Sequence, residues 1–403
     1  MEQIPKKQKP EHLVVSTISS GRKSMSRNWS DFPQDILALF LERLKVSDIK
    51  RFRAVCKNWH RVPLPTSLRC RQLPYLLLYN WAKKRSYSTS LCKIIPPYFN
   101  EIYYYPFDGG NWWGKTIKNP LKGLEDMDYL WDSNVVASKK GWLLLQNDTI
   151  LLFYNLFSKR VIKLPHLDFV PNVARISASP GYPNCSVFAI GTPKENGNGI
   201  IIGICCPDHE NEADRDQDGG FTAWRWCSYT FEGFSVACKC WDAVYTEGNG
   251  VIYCLLDGGI LGEFGVTLCN WRFLIDSVVL PELKGDEERK LHLLQSDKGE
   301  LLLVVYNVLL FVGANPFRHK FFYYRFDVSK KAWVELEQMS NRVVLLDQMS
   351  FLVEGTLGEG KHSRIYFHEG KNCRYGSKEA LSYKLAYEEG YHRDFKKVWI
   401  DFP

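Results

Sequence analysis

The chain has no C-x-x-C pair among its twelve cysteines, no H-E-x-x-H among its nine histidines and no G-x-S-x-G. The first absence argues against a zinc site, whose thiolates usually come in repeated two-residue spacings. The others remove the local signatures of zinc proteases and of hydrolases with a nucleophile elbow. Long apolar runs are scarce as well. The longest, Leu301–Val312, is broken by Asn307 and is too short to span a bilayer, so it reads as two strands or one long buried strand. Charge of one sign is not gathered anywhere. The 52 basic and 45 acidic residues are mixed along the chain, and a net charge of +7 spread this way does not argue for a nucleic-acid partner. Residues 1–28 carry Lys6, Lys7, Lys9, Arg22, Lys23 and Arg27 among Ser and Thr, with no apolar core region. They read as a disordered basic tail and not as a secretory signal. Unpatterned cysteines then read as reduced thiols, which places the protein in the nucleus or the cytoplasm, away from any membrane.

What is present is 45% hydrophobic residues, 14% of the chain aromatic, in a length that suits one large domain and one small one. The small one is legible residue by residue. Pro33 sits at a helix start, where its missing N–H costs nothing, with Ser30 and Asp31 before it. Ile36, Leu37, Phe40, Leu41 and Leu44 come next, at helical spacing. Ser47 is the expected N-cap of a second helix, whose apolar face is Ile49, Phe52, Val55, Cys56 and Trp59. Pro63 and Pro65 end it. Each fully buried Leu, Phe or Val contributes about 1.5–3 kcal/mol. Two short helices cannot bury so many large side chains between themselves, so part of the face must meet the downstream body or a partner.

The order of these residues resembles an F-box. That family runs Leu-Pro, a Leu pair, Leu, Asp-Leu, then Val-Cys-x-x-Trp. Here the same positions are Phe32-Pro33, Ile36-Leu37, Leu41 and Leu44, Asp48-Ile49, and Val55-Cys56-Lys57-Asn58-Trp59, with Phe for the first Leu. The resemblance implies docking on a Skp-family adaptor, and through it on cullin and RING subunits of a ubiquitin ligase. Phe32, Pro33, Ile36, Leu37, Leu41, Leu44, Ile49, Val55, Cys56 and Trp59 would form that surface or its support.

From about residue 72 the chain changes character. Short apolar and aromatic runs alternate with turn residues. Thirteen strands are predicted, over 75–79, 141–146, 150–155, 186–190, 200–205, 224–230, 243–246, 251–255, 264–268, 301–306, 321–326, 333–336 and 364–367. Asn196–Gly199, Gly248–Gly250 and Asp257–Gly259 read as hairpin turns. A strand holding Tyr, a polar turn and a second strand recur at Leu152–Leu164, Phe321–Leu336 and Leu381–Trp399, with a diverged copy at Val251–Leu283. About 330 residues at about 40–50 per blade give six to eight blades of a β-propeller. A pair of β-sandwich sheets is the alternative. The expected class is therefore α+β multidomain: a tail over 1–28, a helical F-box over 29–68 and an all-β body over 72–403. The body also resembles the C-terminal domain of plant F-box receptors of kelch-like or unknown-function class, in Gly141–Asp148, Asn155–Pro165, Phe321–Met339 and Ser363–Gly370.

Two stretches imitate ligand sites. Gly355–His362 is one residue from a P-loop, but His362 stands where a hydroxyl should hold magnesium, and a strand comes after it where a helix should open. Asp214-x-Asp216-x-Asp218-Gly219 begins like a calcium loop, but Arg225 replaces the closing Glu. Trp112 and Trp113, set among glycines, read as a loop tip that either anchors a client or tucks beneath the loop. No cofactor, metal or catalytic residue is expected. The reading is a non-catalytic substrate receptor of an SCF-type ubiquitin ligase. The alternative is a binding module for protein, glycan or small molecule that uses its F-box only to contact the adaptor.

Overall fold

The computed structural model describes residues 29–43, 51–62, 74–81, 91–95, 115–118, 120, 121, 124, 128–180, 182, 184–193, 198–207, 221–231, 239–280, 287–309, 319–337, 339, 342–354, 364–369, 372–376 and 396–401. The chain divides into two compact units, Met1–Arg69 and Cys70–Pro403. The expected basic tail over 1–28 lies outside the described residues.

The first unit opens with a 3-10 turn at Trp29–Asp31, and α1 (Gln34–Arg43) comes after it. Pro33 stands one residue before the helix, and its carbonyl accepts the Leu37 N–H at 3.1 Å. A residue without an N–H loses nothing at that capping position. The second helix is interrupted, unlike the single helix its spacing predicts. Residues 51–53 are helical, and the Ala54 and Val55 amides then close tight turns onto the Arg51 and Phe52 carbonyls. Cys56 is extended (φ −161°, ψ 173°) and restarts the chain as N-cap of α2 (Lys57–Arg61). The break reorients α2. Trp59 turns onto Phe52, with ring centroids 4.5 Å apart, while Val55 is left on the outside.

The second unit holds six four-stranded sheets among the described residues. Blade 1 begins with β1 (Tyr75–Asn80), β2 (Leu91–Ile95) and β3 (Lys115–Lys118). Blade 2 is β4 (Asn134–Lys139), β5 (Trp142–Asn147), β6 (Ile150–Asn155) and β7 (Val161–Lys163). Blade 3 is β8 (Val173–Ile176), β9 (Val187–Gly191), β10 (Gly199–Pro207) and β11 (Phe221–Thr230). Blade 4 is β12 (Cys240–Thr246), β13 (Val251–Leu256), β14 (Leu261–Gly265) and β15 (Asn270–Ile275). Blade 5 is β16 (Glu287–Gln295), β17 (Leu301–Leu309), β18 (His319–Asp327) and β19 (Ala332–Leu336). Blade 6 is β20 (Arg342–Leu346), β21 (Phe351–Glu354), β22 (Arg364–Glu369) and β23 (Asn372–Gly376). The last strand, β24 (Lys396–Ile400), returns to pair with β1 and completes blade 1.

One strand of each blade lines the axis. β24 packs on β4, β4 on β8, β8 on β12, β12 on β16, and β16 on β21. The Asp347 carboxylate, in the turn before β21, accepts the Trp399 amide of β24 and closes the series, so the six described blades form a propeller and not two facing sandwich sheets. Blade 6 departs from the antiparallel pattern of the other five. Its order is β21-β20-β22-β23, and β20 runs parallel to β22.

Among the described residues, an apolar layer fills each gap from blade 1 round to blade 6. On β6, Leu152 and Tyr154 face blade 1, whereas Leu151 and Phe153 face blade 3. A strand buried on both sides reads as an unbroken apolar run, and hence the sequences YLLLYN and ILLFYN. Tryptophans of outer strands also tie neighbours together. Trp224 Nε1 donates to the Pro165 carbonyl at 2.7 Å, and Trp333 Nε1 to that of Gly259 at 2.7 Å.

The recurring sequence unit is the outer hairpin of a blade. In blade 2, Asn155 Oδ1 accepts the Phe157 and Ser158 amides at 3.0 Å, and Lys159 lies at φ 58°. In blade 5, Asp327 Oδ1 accepts the Ser329 and Lys330 amides at 3.0 and 3.2 Å, and Lys331 lies at φ 47°. The same hairpin recurs as β14–β15 of blade 4, where Gly265 begins the turn and Cys269 lies at φ 48°. The stretch beginning at Val251, read as the diverged copy, is the preceding strand of that blade. Of the copy expected at Leu381–Trp399, only the end is among the described residues, as part of β24.

Candidate functional site

The first site is the helical unit. Leu37 and Leu41 are fully buried, and with Phe52 and Val62 they form its core, against which Phe32, Ala38 and Trp59 pack. Among the described residues, six apolar side chains larger than alanine remain outside. Pro33, Ile36, Leu39 and Phe40 run along the start and one side of α1, Phe40 being 49% exposed. Val55 is 55% exposed at the break before α2, and Trp29 is 63% exposed at the N-terminal turn. The Trp29 ring lies flat on Phe32, centroids 5.2 Å apart.

That turn is clamped from α2. Asn58 Nδ2 donates to the Ser30 and Phe32 carbonyls at 2.9 and 3.2 Å, and Trp59 Nε1 donates to the Trp29 carbonyl at 2.9 Å. The Cys-x-x-Trp pattern therefore has a local reason: Cys56 turns the chain, and Asn58 and Trp59 hold the entry turn. Of the ten residues expected at the surface, Pro33, Ile36 and Val55 are exposed. Phe32, Cys56 and Trp59 are half-buried, and Leu37 and Leu41 lie beneath as support. Leu44 and Ile49 lie outside the described residues. Trp29, Leu39, Phe40 and Asn58 are not among the ten expected, although Phe40 is in the helical stripe. The i, i+3, i+4 spacing of Ile36, Leu39 and Phe40 marks a second apolar stripe and could have revealed Leu39.

The second site is the axis of the body. The turn between β20 and β21, residues 347–350, reaches four other blades. Gln348 offers its carbonyl to Arg175 Nη2 of β8 at 2.8 Å. Met349 Sδ accepts the Ser138 amide of β4 at 3.4 Å. Ser350 Oγ bonds His292 Nδ1 of β16 at 2.9 Å. The Asp347 carboxylate accepts the Trp399 amide of β24. Beside this turn lies the buried ion pair of Arg175 and Asp242. Asp242 Oδ2 also accepts the Leu293 amide at 2.9 Å, so one carboxylate joins blades 3, 4 and 5.

Two sealed atoms in this cluster have no protein partner, His292 Nε2 and Asp347 Oδ2. Burial raises the Asp347 pKa to about 7 against the opposing pull of the Gln348 and Trp399 amides and of Lys290. Burial lowers that of His292 to about 3, helped by the charges of Lys290 and Arg175. The ring stacks on Tyr306, with 4° between the planes. Among the described residues no three His, Cys, Asp or Glu side chains are grouped to hold a metal.

The remaining candidates fall elsewhere. Trp112 and Trp113, the acidic stretch Asp214–Gly219 and the stretch Gly355–His362 lie outside the described residues. The segment after the last of these is strand β22 and not the helix a P-loop requires.

Comparison with known proteins completes the description. Residues 29–63 match the F-box domain model, and residues 115–388 match the model described as KIB1-4 beta-propeller. The fold thus defines an F-box protein with a propeller body. The chain belongs to the KIB1-4 beta-propeller family. One F-box protein of Arabidopsis thaliana is 21% identical over 95% of this chain and 89% of its own length. Another from the same plant is 23% identical over 62% of this chain and 58% of its own. Among solved structures, an auxiliary nutrient binding protein from Bacteroides thetaiotaomicron is 11% identical, with TM-score 0.35, over 63% of this chain and 57% of its own. An α-L-arabinofuranosidase from Fusarium graminearum is 10% identical, with TM-score 0.32, over 82% of each chain. Likenesses this distant say nothing of what this chain binds.

Proposed function

We propose that the chain is a substrate receptor of an SCF-type ubiquitin ligase, working in the nucleus or the cytoplasm. The F-box docks on a Skp-family adaptor, the adaptor brings cullin and RING subunits, and the propeller holds a client protein. The chain itself catalyses nothing. Its contribution is proximity: a client held on the scaffold presents its lysines at high effective concentration to the charged conjugating enzyme.

One observation carries this reading. The helical unit already has a core of its own, yet Pro33, Ile36, Leu39, Phe40, Val55 and Trp29 stay outside it. A set of large apolar side chains gathered on so small a unit marks an interaction surface. The experiment is to express the chain and its Ile36→Asp, Phe40→Asp variant in cells, recover each and measure client turnover. The reading expects adaptor and cullin to accompany the wild type only, and proteins bound to the propeller to gain half-life when the variant replaces it. Bound proteins whose half-life ignores the exchange would overturn the degradative role.

A further inference from the structure

We propose that Cys227 and Cys269 are a modification site: an oxidisable thiol pair that forms a disulfide between blades 3 and 4.

The geometry starts from two facing rows. Cys227, Tyr229 and Phe231 alternate along one side of β11 and just past its end, and Cys269, Trp271 and Phe273 along one side of the turn and strand β15. The rows meet in register. Tyr229 lies 6.1 Å from Trp271, and Phe231 lies 4.8 Å from Phe273, centroid to centroid. Tyr229 Oη donates to the Cys269 carbonyl. The next pair in this register is Cys227 with Cys269, and their thiols are in hydrogen-bond contact. Cys269 Sγ also lies 3.8 Å from the Val266 carbonyl.

Two further observations bear on this pair. Cys227 and Cys269 are both partly exposed, as is Cys56, and Cys206 is exposed, whereas Cys185, Cys205, Cys240 and Cys254 are buried. Cys269 also holds the left-handed position of its turn, at φ 48°. The equivalent turns of blades 2 and 5 place lysine there, Lys159 and Lys331. The backbone therefore does not need cysteine at this position, and the thiol stands where it meets a second one.

The reaction balances with hydrogen peroxide as oxidant. One thiol takes an oxygen as the O–O bond breaks, giving a sulfenic acid and water. The second thiol attacks that sulfur, the S–S bond forms, the S–O bond breaks, and a second water leaves. Two thiols and one peroxide become one disulfide and two waters. Burial and the contact with Cys269 push the Cys227 thiol up to about 11, so the reaction quickens as pH rises and more thiolate is present. The bond would fix an outer strand of blade 3 to a turn of blade 4.

The test uses the purified full chain treated with a small excess of hydrogen peroxide, then intact-mass measurement and non-reducing peptide mapping. The proposal expects the loss of two hydrogen atoms per chain and a linked peptide joining residues 227 and 269. The melting temperature should be higher oxidised than reduced, with the gap closed by dithiothreitol. Cys227→Ser and Cys269→Lys should abolish both the linked peptide and the gap. The lysine variant keeps the residue type that two sister turns already use, so a failure to fold would not explain its result. Alkylation of both Cys227 and Cys269 in the peroxide-treated wild type, or a linkage through other cysteines or between chains, would overturn the proposal.

Discussion

The two units use apolar residues in opposite ways. In the propeller the inner and middle strands bury their apolar runs between neighbouring blades, while outer strands such as β7, β15 and β19 stay partly exposed. In the helical unit four side chains form the core while others of equal size stay on the surface. A body that closes its own layers needs no partner to fold. The helical unit leaves Phe40, Leu39 and Trp29 outside its core, on the face proposed to dock. Apolar content alone cannot distinguish these cases; the place of each side chain can.

The contrast can be broken most severely at the axis. Arg175→Met leaves the Asp242 carboxylate buried without its cation, and a broken buried ion pair costs about 3–5 kcal/mol. The denaturant midpoint of the propeller should fall, while adaptor binding by the helical unit persists. Next in size is Leu41→Ala. Emptying a fully buried leucine site costs about 2–5 kcal/mol, more than so small a core can lose, and adaptor binding should vanish with the helical circular dichroism. Phe40→Ala sharpens the point, because it should weaken binding while the helical signal is kept.

A third prediction concerns pH. Asp347 has a folded pKa raised to about 7, so it keeps a proton that the unfolded chain releases above about 4. Its stabilising contribution is whole below that point and is lost as pH rises towards 7. His292 has a folded pKa lowered to about 3, so its contribution is whole above about 6.5 and is lost as pH falls towards 3. Between about 4 and 6.5 the two slopes oppose, each at most about 1.4 kcal/mol per pH unit. Relative to wild type, Asp347→Asn should gain stability as pH rises through this window, and His292→Gln should lose it. Urea melts at several pH values measure both. The smallest effect is at Asn58. Asn58→Ala removes the clamp on the Ser30 and Phe32 carbonyls and should cost about 1–2 kcal/mol, read as a lower melting temperature of the helical unit.

Much of this architecture is legible in the sequence. The thirteen expected strands all correspond to real ones, with Phe264–Leu268 displaced to Leu261–Gly265 because its last residues form the turn. Of the eleven described strands missed, five line the axis: β4, β8, β16, β21 and β24. β8 reads VARI and β16 reads EERKLHLLQ, so a charged or polar residue interrupts the apolar signal where it enters the axial cluster. Residues that make the axis polar hide its strands from a reading based on hydrophobicity. The second site failed to appear for a related reason. Arg175, Asp242, His292 and Asp347 lie far apart in sequence, and closure of the ring brings their blades together. In the helical unit the pattern itself is plain, and burial decides which of its residues are surface and which are support. Leu37 and Leu41 are the diagnostic residues, and they hold up the surface from within.

That division also fixes the most direct test of the central claim, that the outer apolar face of the helical unit is the docking surface. Purified full-length chain is titrated with a Skp-family adaptor by calorimetry, for the wild type and for the Ile36→Asp, Phe40→Asp variant, after circular dichroism shows that both are folded. The account predicts saturable binding by the wild type and at least a hundredfold weaker binding by the variant, about 2.7 kcal/mol or more. Equal affinity in the two folded proteins would contradict it.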